Sequence, residues 1–409
     1  MELADFYKEL LAIDRPWQIT KTEVDSTKSA VYIYLGHQKG VQFACPCCHK
    51  PCAVYDHQKG RIWRHLDTCQ YQTYIKAQLP RINCSACGIK TVVASWSRSY
   101  SRLTDYLECH ALDVLQTSQV IERSAVLLQL SADQLSYLIK KSVDRGVALR
   151  QACGQPINYV AIDEKAYKAG HHYVTILTDA DNGRVLEVVA DRTIESVRES
   201  YKSLNENQLA TIKGISMDMW SPFESVSKEV APQAAIVHDK FHLSAYLNNA
   251  VDITRRAQNK KLRQTANDLL KGTKYLWLTN RENLSLKETD LLDTILLDKS
   301  LKTVQAFQLK SDFKQFFKSR SPQEASDFFT TWHERVVSGG NAGLLKVATL
   351  FKGHLEGLTN YITHRISNGI AESLNSRIQQ LKAKARGFSS PKAFRTAILF
   401  HFGKLHLYP

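Results

Sequence analysis

The stretch YVAIDEKAYKAGHHYVTILTDADNGRVLEVVADR (residues 159–192) decides the fold. Apolar and β-branched residues crowd YVAI, YVTIL and RVLEVV. Asp181-Asn182-Gly183 between the second and third runs is a hairpin-turn signature. The pattern predicts a three-strand antiparallel meander, with Asp163 on its first strand. Downstream, TIESVRESYKSLN puts Ile194, Val197, Tyr201 and Leu204 on one face of a helix. LATIKGISM reads as a fourth strand ending at Asp218. Ser221-Pro222-Phe223-Glu224 reads as a helix start, with a capping box and proline at the first helical position, and Pro232 closes that helix. AAIVH is a fifth strand, followed by Asp239 and, three residues on, His242.

The order βββαβαβ over residues 157–243 is that of the ribonuclease H-like fold. There the first and fourth strands are neighbours, so Asp163 and Asp218 meet and share divalent metals with a third carboxylate from a later helix. Asp239, after strand five, is expected further from the metals, orienting the next segment or supporting the site together with His242. SNGIAESLNSRIQQLKAKARGF (367–388) offers the later helix. Asn368 is its expected cap and Glu372 lies one turn in. Asn375 and Gln379 share the Glu372 face, and Ile370, Leu374, Ile378 and Leu381 form the opposite, buried stripe. Acids on polar helical faces are usually just solvated; the two strand-end aspartates in the right order are what raise Glu372 above that.

All of the nine cysteines except Cys153 fall between Cys45 and Cys109. CPCC pairs Cys45 with Cys48, and CSACG pairs Cys84 with Cys87. Each pair has the C-x-x-C spacing that wraps a tight turn around a tetrahedral ion, and four thiolates would close the shell of one structural Zn²⁺. WRHLD and YQTYIKAQLPRI between the pairs read as strands, giving two knuckles bridged by a small sheet, a zinc ribbon. Cys47, Cys52 and His49 are near enough to substitute in the first pair. Next, VIERSAVLLQLSADQLSYLIKKSVDRG reads as a helix-turn-helix. Val120, Ile121, Ala125, Leu127 and Leu128 mark a short first helix, and Ser131 with Gln134 caps a second. That second helix carries Lys140, Lys141 and Arg145 toward DNA. A plain helical hairpin between domains is the simpler alternative.

Charge is one-sided. Lys and Arg against Asp and Glu number 28 to 27 in residues 1–250 but 26 to 13 in residues 251–409, within a net +14. Such a field attracts a polyanion, nucleic acid first. No apolar run is long enough to span a bilayer. The N-terminus lacks a signal-peptide core, so a cytoplasmic protein is expected.

The quoted stretches, with SMDMWSPF and IVHDKFHL, resemble DDE-class bacterial transposases of the ISL-three family over nearly the whole chain. The resemblance implies a catalytic triad at Asp163, Asp218 and Glu372. It also implies a helical insertion, matching strand-poor residues 244–365, and a D-x-F-H element at Asp239 and His242. The expected architecture is an α/β ribonuclease H-like catalytic domain with an all-α insertion, preceded by a zinc ribbon and a helix-turn-helix domain. Its expected boundaries are residues 1–98 for the region with the ribbon, 99–152 for the helix-turn-helix, 153–247 for the first part of the core, 248–362 for the insertion and 363–409 for the helices carrying the glutamate. Two Mg²⁺ (or Mn²⁺) ions at the triad would serve cleavage of the element's ends and transfer of the 3′-OH to target DNA. Asp239, His242 and Asn375 would stand behind the triad. Arg377, Lys382, Lys384 and Arg386 are expected on DNA near the cut. The partners implied are double-stranded DNA, as transposon ends and target, and a second copy in a homodimer, with no membrane and with nucleoid association. A DNA-binding regulator with an inactive domain, or a structure-specific nuclease of the same fold, are the alternatives. Trp277 in the insertion could stack on a flipped base, though core packing is the better expectation.

Overall fold

A computed structural model describes residues 3–11, 13, 15–168, 170, 172–366 and 369–409. The expected cap Asn368 lies outside the described residues. The chain divides into two compact units, Met1–Gly146 with His406–Pro409, and Val147–Leu405.

In the first unit, a helix (Leu3–Leu11) precedes two four-stranded sheets. One sheet orders Trp17–Asp25, Ala30–His37, Gln72–Ala77 and Arg61–Arg64; the other orders Gln42–Ala44, Pro51–His57, Pro80–Cys84 and Gly88–Thr91. The strands between the cysteine pairs therefore do not form one small ribbon sheet. Arg61–Arg64 and Gln72–Ala77 join the N-terminal hairpin instead, and Trp17, Trp63 and Trp96 pack with Ile33, Ile75 and Ile82 in a shared core. Large indoles bury more apolar area than a ribbon of this size could supply alone.

Three helices follow, Asp105–Ser118, Ile121–Leu128 and Ala132–Cys153. The Ser131–Gln134 box forms as expected: the Gln134 amide donates to Ser131 Oγ at 3.1 Å, and the Ser131 amide donates to Gln134 Oε1 at 2.9 Å. The middle helix departs from expectation, because Leu127 is exposed beside Val126 while Ser124 and Leu128 face inward. Buried Glu108, on the first of these helices, accepts from Lys141 Nζ at 3.3 Å and Arg145 at 3.2 Å.

The second unit is built on a five-stranded sheet, numbered within this unit β1 (Tyr159–Lys168), β2 (His172–Asp179), β3 (Arg184–Ala190), β4 (Gly214–Met217) and β5 (Ala235–His238). Its order is β3-β2-β1-β4-β5. The meander is antiparallel, whereas β4 runs parallel to β1, and β5 parallel to β4. Strands one and four are thus neighbours. The helices are α1 (Ile194–Tyr201), α2 (Glu206–Thr211), α3 (Ser221–Val230), α4 (Lys240–Arg263), α5 (Lys274–Leu278), α6 (Leu286–Leu296), α7 (Lys302–Asp312), α8 (Pro322–Gly339), α9 (Ala342–Gly353), α10 (Leu355–His364), α11 (Gly369–Lys384) and α12 (Pro391–Phe402).

Four local expectations change. The fourth strand is shorter than LATIKGISM, because Asn205 and Gln208 form a capping box that turns its first residues into α2. Ile194 is exposed, and Val197, Tyr201 and Leu204 carry the packing of that segment. Ser221 is the first residue of α3 and Trp220 its cap, with no side-chain bond; Glu224 is engaged elsewhere. All the regular structure described in the insertion is helical, α-helices with two 3₁₀ segments joined by loops, and it has its own core around Trp277, Phe313, Trp332 and Phe351. Trp277 is fully buried and donates to Thr273 Oγ1 at 3.0 Å, so it is a core residue. On α11 the inward stripe is Ala371, Leu374, Ile378 and Leu381, with Ile370 exposed. No described helix is long and apolar enough to cross a membrane.

Candidate active site and zinc centre

Strand register brings the acids together. Ser216 pairs with Ala161, and Met217 with His238. Carried past these pairs, the same register sets Asp163, Asp218 and Asp239 level across three adjacent strands. The Asp239 amide completes the ladder by donating to the Met217 carbonyl at 3.1 Å. Each aspartate is steadied by a nearby amide: Asp163 accepts from Glu164 N at 2.8 Å, Asp218 from Met219 N at 2.7 Å, and Asp239, as N-cap of α4, from Phe241 N at 3.2 Å.

Helices complete the cluster. Asn375 of α11 donates its side-chain amide to Asp163, and Glu372 lies one turn earlier on the same helix. His242, in the first turn of α4, has Nδ1 3.7 Å from Asp218 and Nε2 3.9 Å from Asp239. Burial pushes the Asp163 carboxyl above the usual range, and the Asp239 charge adds to this, against the Glu164 amide, His242 and Asn375. Glu372 is also raised, by burial first, then by the charges of Asp239 and Asp163. Burial and neighbouring negative charge both work against ionisation of Asp163 and Glu372, and a bound cation would favour it. Hard oxygen donors of this kind suit Mg²⁺ or Mn²⁺.

The structure therefore brings together Asp163, Asp218, Glu372, Asp239, His242 and Asn375. It gives Asp239 more weight than strand counting did, because its charge acts on both Asp163 and Glu372. The signal was present in the sequence: two strands of equal length ending at equivalent positions bring both of their acids to one edge. Exposure still separates them, since the Asp218 side chain is 28% exposed and that of Asp239 only 6%.

The basic residues divide. Lys382 Nζ donates to the Ala166 carbonyl of β1 at 3.0 Å, and Arg377 stacks on Phe402 at 4.9 Å. Arg386 is exposed, in a left-handed turn that ends α11, and Lys384 is exposed on the last turn. In the first unit Lys140 is exposed, whereas Lys141 and Arg145 are held by Glu108.

In the first unit the thiols of Cys45, Cys48, Cys84 and Cys87 all lie within 4.8 Å of one another. The Cys48 and Cys84 sulfurs are 3.5 Å apart. Backbone amides of Cys48 and Cys47 lower the Cys45 thiol, and those of Ala86 and Cys87 bring Cys84 down to about 6. Hydrogen bonding from Cys48, with burial, pushes Cys87 up to about 12. Four converging thiolates match tetrahedral Zn²⁺. Of the possible substitutes, Cys47 and His49 are exposed, and buried Cys52 donates to the Lys50 carbonyl at 3.3 Å.

A family model described as a transposase, of the ISL3 group, matches residues 160–398, and one described as the zinc-finger of transposase IS204/IS1001/IS1096/IS1165 matches residues 42–87. The chain belongs to the ISL3 family of transposases. Within it, the chain is 29% identical over 355 residues to the transposase for insertion sequence element IS1001 of Bordetella parapertussis, covering 86% of each chain. It is 24% identical over 428 residues to the transposase for IS1557 of Mycobacterium tuberculosis, covering 95% of this chain and 93% of the relative. The thiol cluster lies within the residues matched by the zinc-finger model, and the acidic sheet edge within those matched by the transposase model.

Proposed function

We propose that this transposase binds the ends of an insertion sequence, cuts the DNA there and joins the freed 3′-OH to target DNA. Asp163, Asp218 and Glu372 would hold two Mg²⁺ on a ribonuclease H-like core. The observation that carries this reading is the shared register of β1 and β4, with the Asn375 turn of α11 bonded to Asp163. The order β3-β2-β1-β4-β5, antiparallel then parallel, supports the ribonuclease H-like assignment.

The ions, when bound, would lower the pKa of the attacking water or 3′-OH and stabilise the leaving oxygen. The chain's residues supply the geometry. Asp163, at the centre of the sheet edge, would be one of the residues holding the ions, with Asn375 orienting its carboxylate. Asp218, the more exposed strand-end acid, faces the incoming phosphate. Asp239 caps α4 and holds His242 toward Asp218. One P–O bond forms at the phosphorus as the opposite P–O bond breaks, and the leaving 3′ oxygen ends as a hydroxyl.

The cluster of four cysteines would hold one structural Zn²⁺, placing the three helices of the first unit on end DNA, with Lys140 on phosphate. Lys384 and Arg386 would track phosphates near the cut. Joining two ends calls for two active sites, hence a homodimer on DNA, acting in the cytoplasm at the nucleoid. The test is Mg²⁺-dependent cleavage of end-bearing duplex: Asp218→Asn should abolish cleavage and leave end-binding intact, and normal cleavage by that variant overturns the assignment.

A further inference from the structure

A second cluster lies apart from the acidic edge. A carboxylate oxygen of Glu224 on α3, a ring nitrogen of His238 at the end of β5, and a ring nitrogen of His354 between α9 and α10 lie within 4.8 Å of one another. We propose that these three residues form a second zinc site, which fastens the helical insertion to the edge of the catalytic sheet.

The donor set is the first argument. Two imidazoles and one carboxylate are a recurrent Zn²⁺ ligand set, and imidazole selects zinc over Mg²⁺. Bond lengths of about 2.0–2.1 Å to tetrahedral zinc place neighbouring donors about 3.3 Å apart. His354 Nδ1 and Glu224 Oε2 are 3.2 Å apart.

The surroundings are the second. Lys228 donates to the other Glu224 oxygen at 2.7 Å, orienting the carboxylate and leaving Oε2 toward the histidines. An ion pair of Glu224 with His354 explains two of the three groups. It does not account for His238, a residue 2% exposed whose ring packs edge-on against that of His354 at 5.0 Å and whose Nδ1 is buried and lacks a well-formed hydrogen bond. A buried imidazole nitrogen that lacks a well-formed hydrogen bond is costly. The fold also makes room for this ring: a Cβ on Gly357 would come within 2.6 Å of His238 Nε2, so only glycine lets α10 close over it.

Position is the third. β5 is the sheet edge, and α10 is already tied to it by Asn360 donating to the Ile236 carbonyl at 2.9 Å. A metal here would join α3, β5 and the α9–α10 junction at one point. The Glu224 and His354 side chains are each 23% exposed, which leaves water access for a fourth ligand.

The test is metal counting on the full-length protein, dialysed in excess Mg²⁺ so that zinc does not occupy the acidic edge. Two zinc ions per chain are expected, falling to one in Glu224→Gln/His354→Gln. Cobalt substitution separates the sites. The ribbon gives an intense thiolate charge-transfer band, which also reports folding of the variant. The second site adds weak visible bands without thiolate character, and these disappear in the variant. One zinc per chain in the wild type overturns the proposal, and so does a variant that keeps two. His354→Gln alone, at a partly exposed helix junction, serves if the double variant misfolds.

Discussion

Asp218 and Asp239 share one imidazole: His242 stands between them, Nδ1 3.7 Å from the first carboxylate and Nε2 3.9 Å from the second. Their strands are parallel neighbours in register, so the two acids lie level; Asp218 follows the strand next to that of Asp163, and Asp239 follows the edge strand. Asp239 caps α4 from a buried position, whereas Asp218 is open to solvent.

Unequal losses follow from unequal duties. Asp218→Asn should eliminate cleavage. Asp239→Asn and His242→Ala should slow it by about 10–100-fold, the usual cost of removing a group that orients a metal ligand, with partial recovery at high Mg²⁺. Single-turnover cleavage against Mg²⁺ concentration measures this. Equal and unrecoverable loss in Asp218→Asn and Asp239→Asn would make Asp239 a ligand in its own right.

The raised carboxyls of Asp163 and Glu372 fix a pH sign. Metal-free protein holds the stability of their protonated forms below the ordinary carboxylate range and loses it as pH rises through the raised values. At pH 7, Asp163→Asn or Glu372→Gln should therefore raise the melting temperature in Mg²⁺-free buffer, by about 2–4 °C per kcal/mol relieved. Added Mg²⁺ should stabilise the wild type and neither variant. Thermal unfolding with and without Mg²⁺ is the measurement, and a lowered melting point in both variants contradicts it.

At the ribbon, Cys47→Ser and Cys52→Ala should keep the cobalt–thiolate band, whereas Cys84→Ser should lose it. Absorbance of the cobalt-substituted protein decides. Loss of the band in Cys52→Ala would bring that buried thiol into the ligand set.

Adjacent lysines on one helix should behave differently. Lys140→Ala should weaken DNA binding uniformly and reduce the salt slope by about 1, without changing stability. Lys141→Ala should instead weaken the hold on Glu108, and Glu108→Gln should cost about 1–3 kcal/mol, because it disrupts a buried charged hydrogen-bond network. Salt-dependent binding isotherms beside denaturant melts separate the two effects.

The sequence carried the strand order well, because alternation, the Asp181-Asn182-Gly183 turn and strand-end acids are local signals. It carried Asn375 too, a polar residue where a core helix would be apolar. It misjudged what depends on packing at a distance. Arg61–Arg64 and Gln72–Ala77 pair with a hairpin far upstream, and no local pattern announces that. Leu127 and Ile370 look buried by periodicity, but helix facing is set by partners that the stripe itself does not name. Strand number alone does not tell that parallel register sets Asp239 level with Asp218. Nothing local connects Glu224, His238 and His354, which lie on three separate elements of the chain.

The central claim is that Asp163, Asp218 and Glu372 hold the catalytic metals. A structure of the full-length protein with end DNA and Mn²⁺, read by anomalous scattering, tests it most directly. The account predicts two ions, with Asp163, Asp218 and Glu372 oxygens about 2.0–2.3 Å from them and Asp239 outside that shell. Ions ligated by Asp239 in place of Asp218, or lying away from this sheet edge, would contradict it.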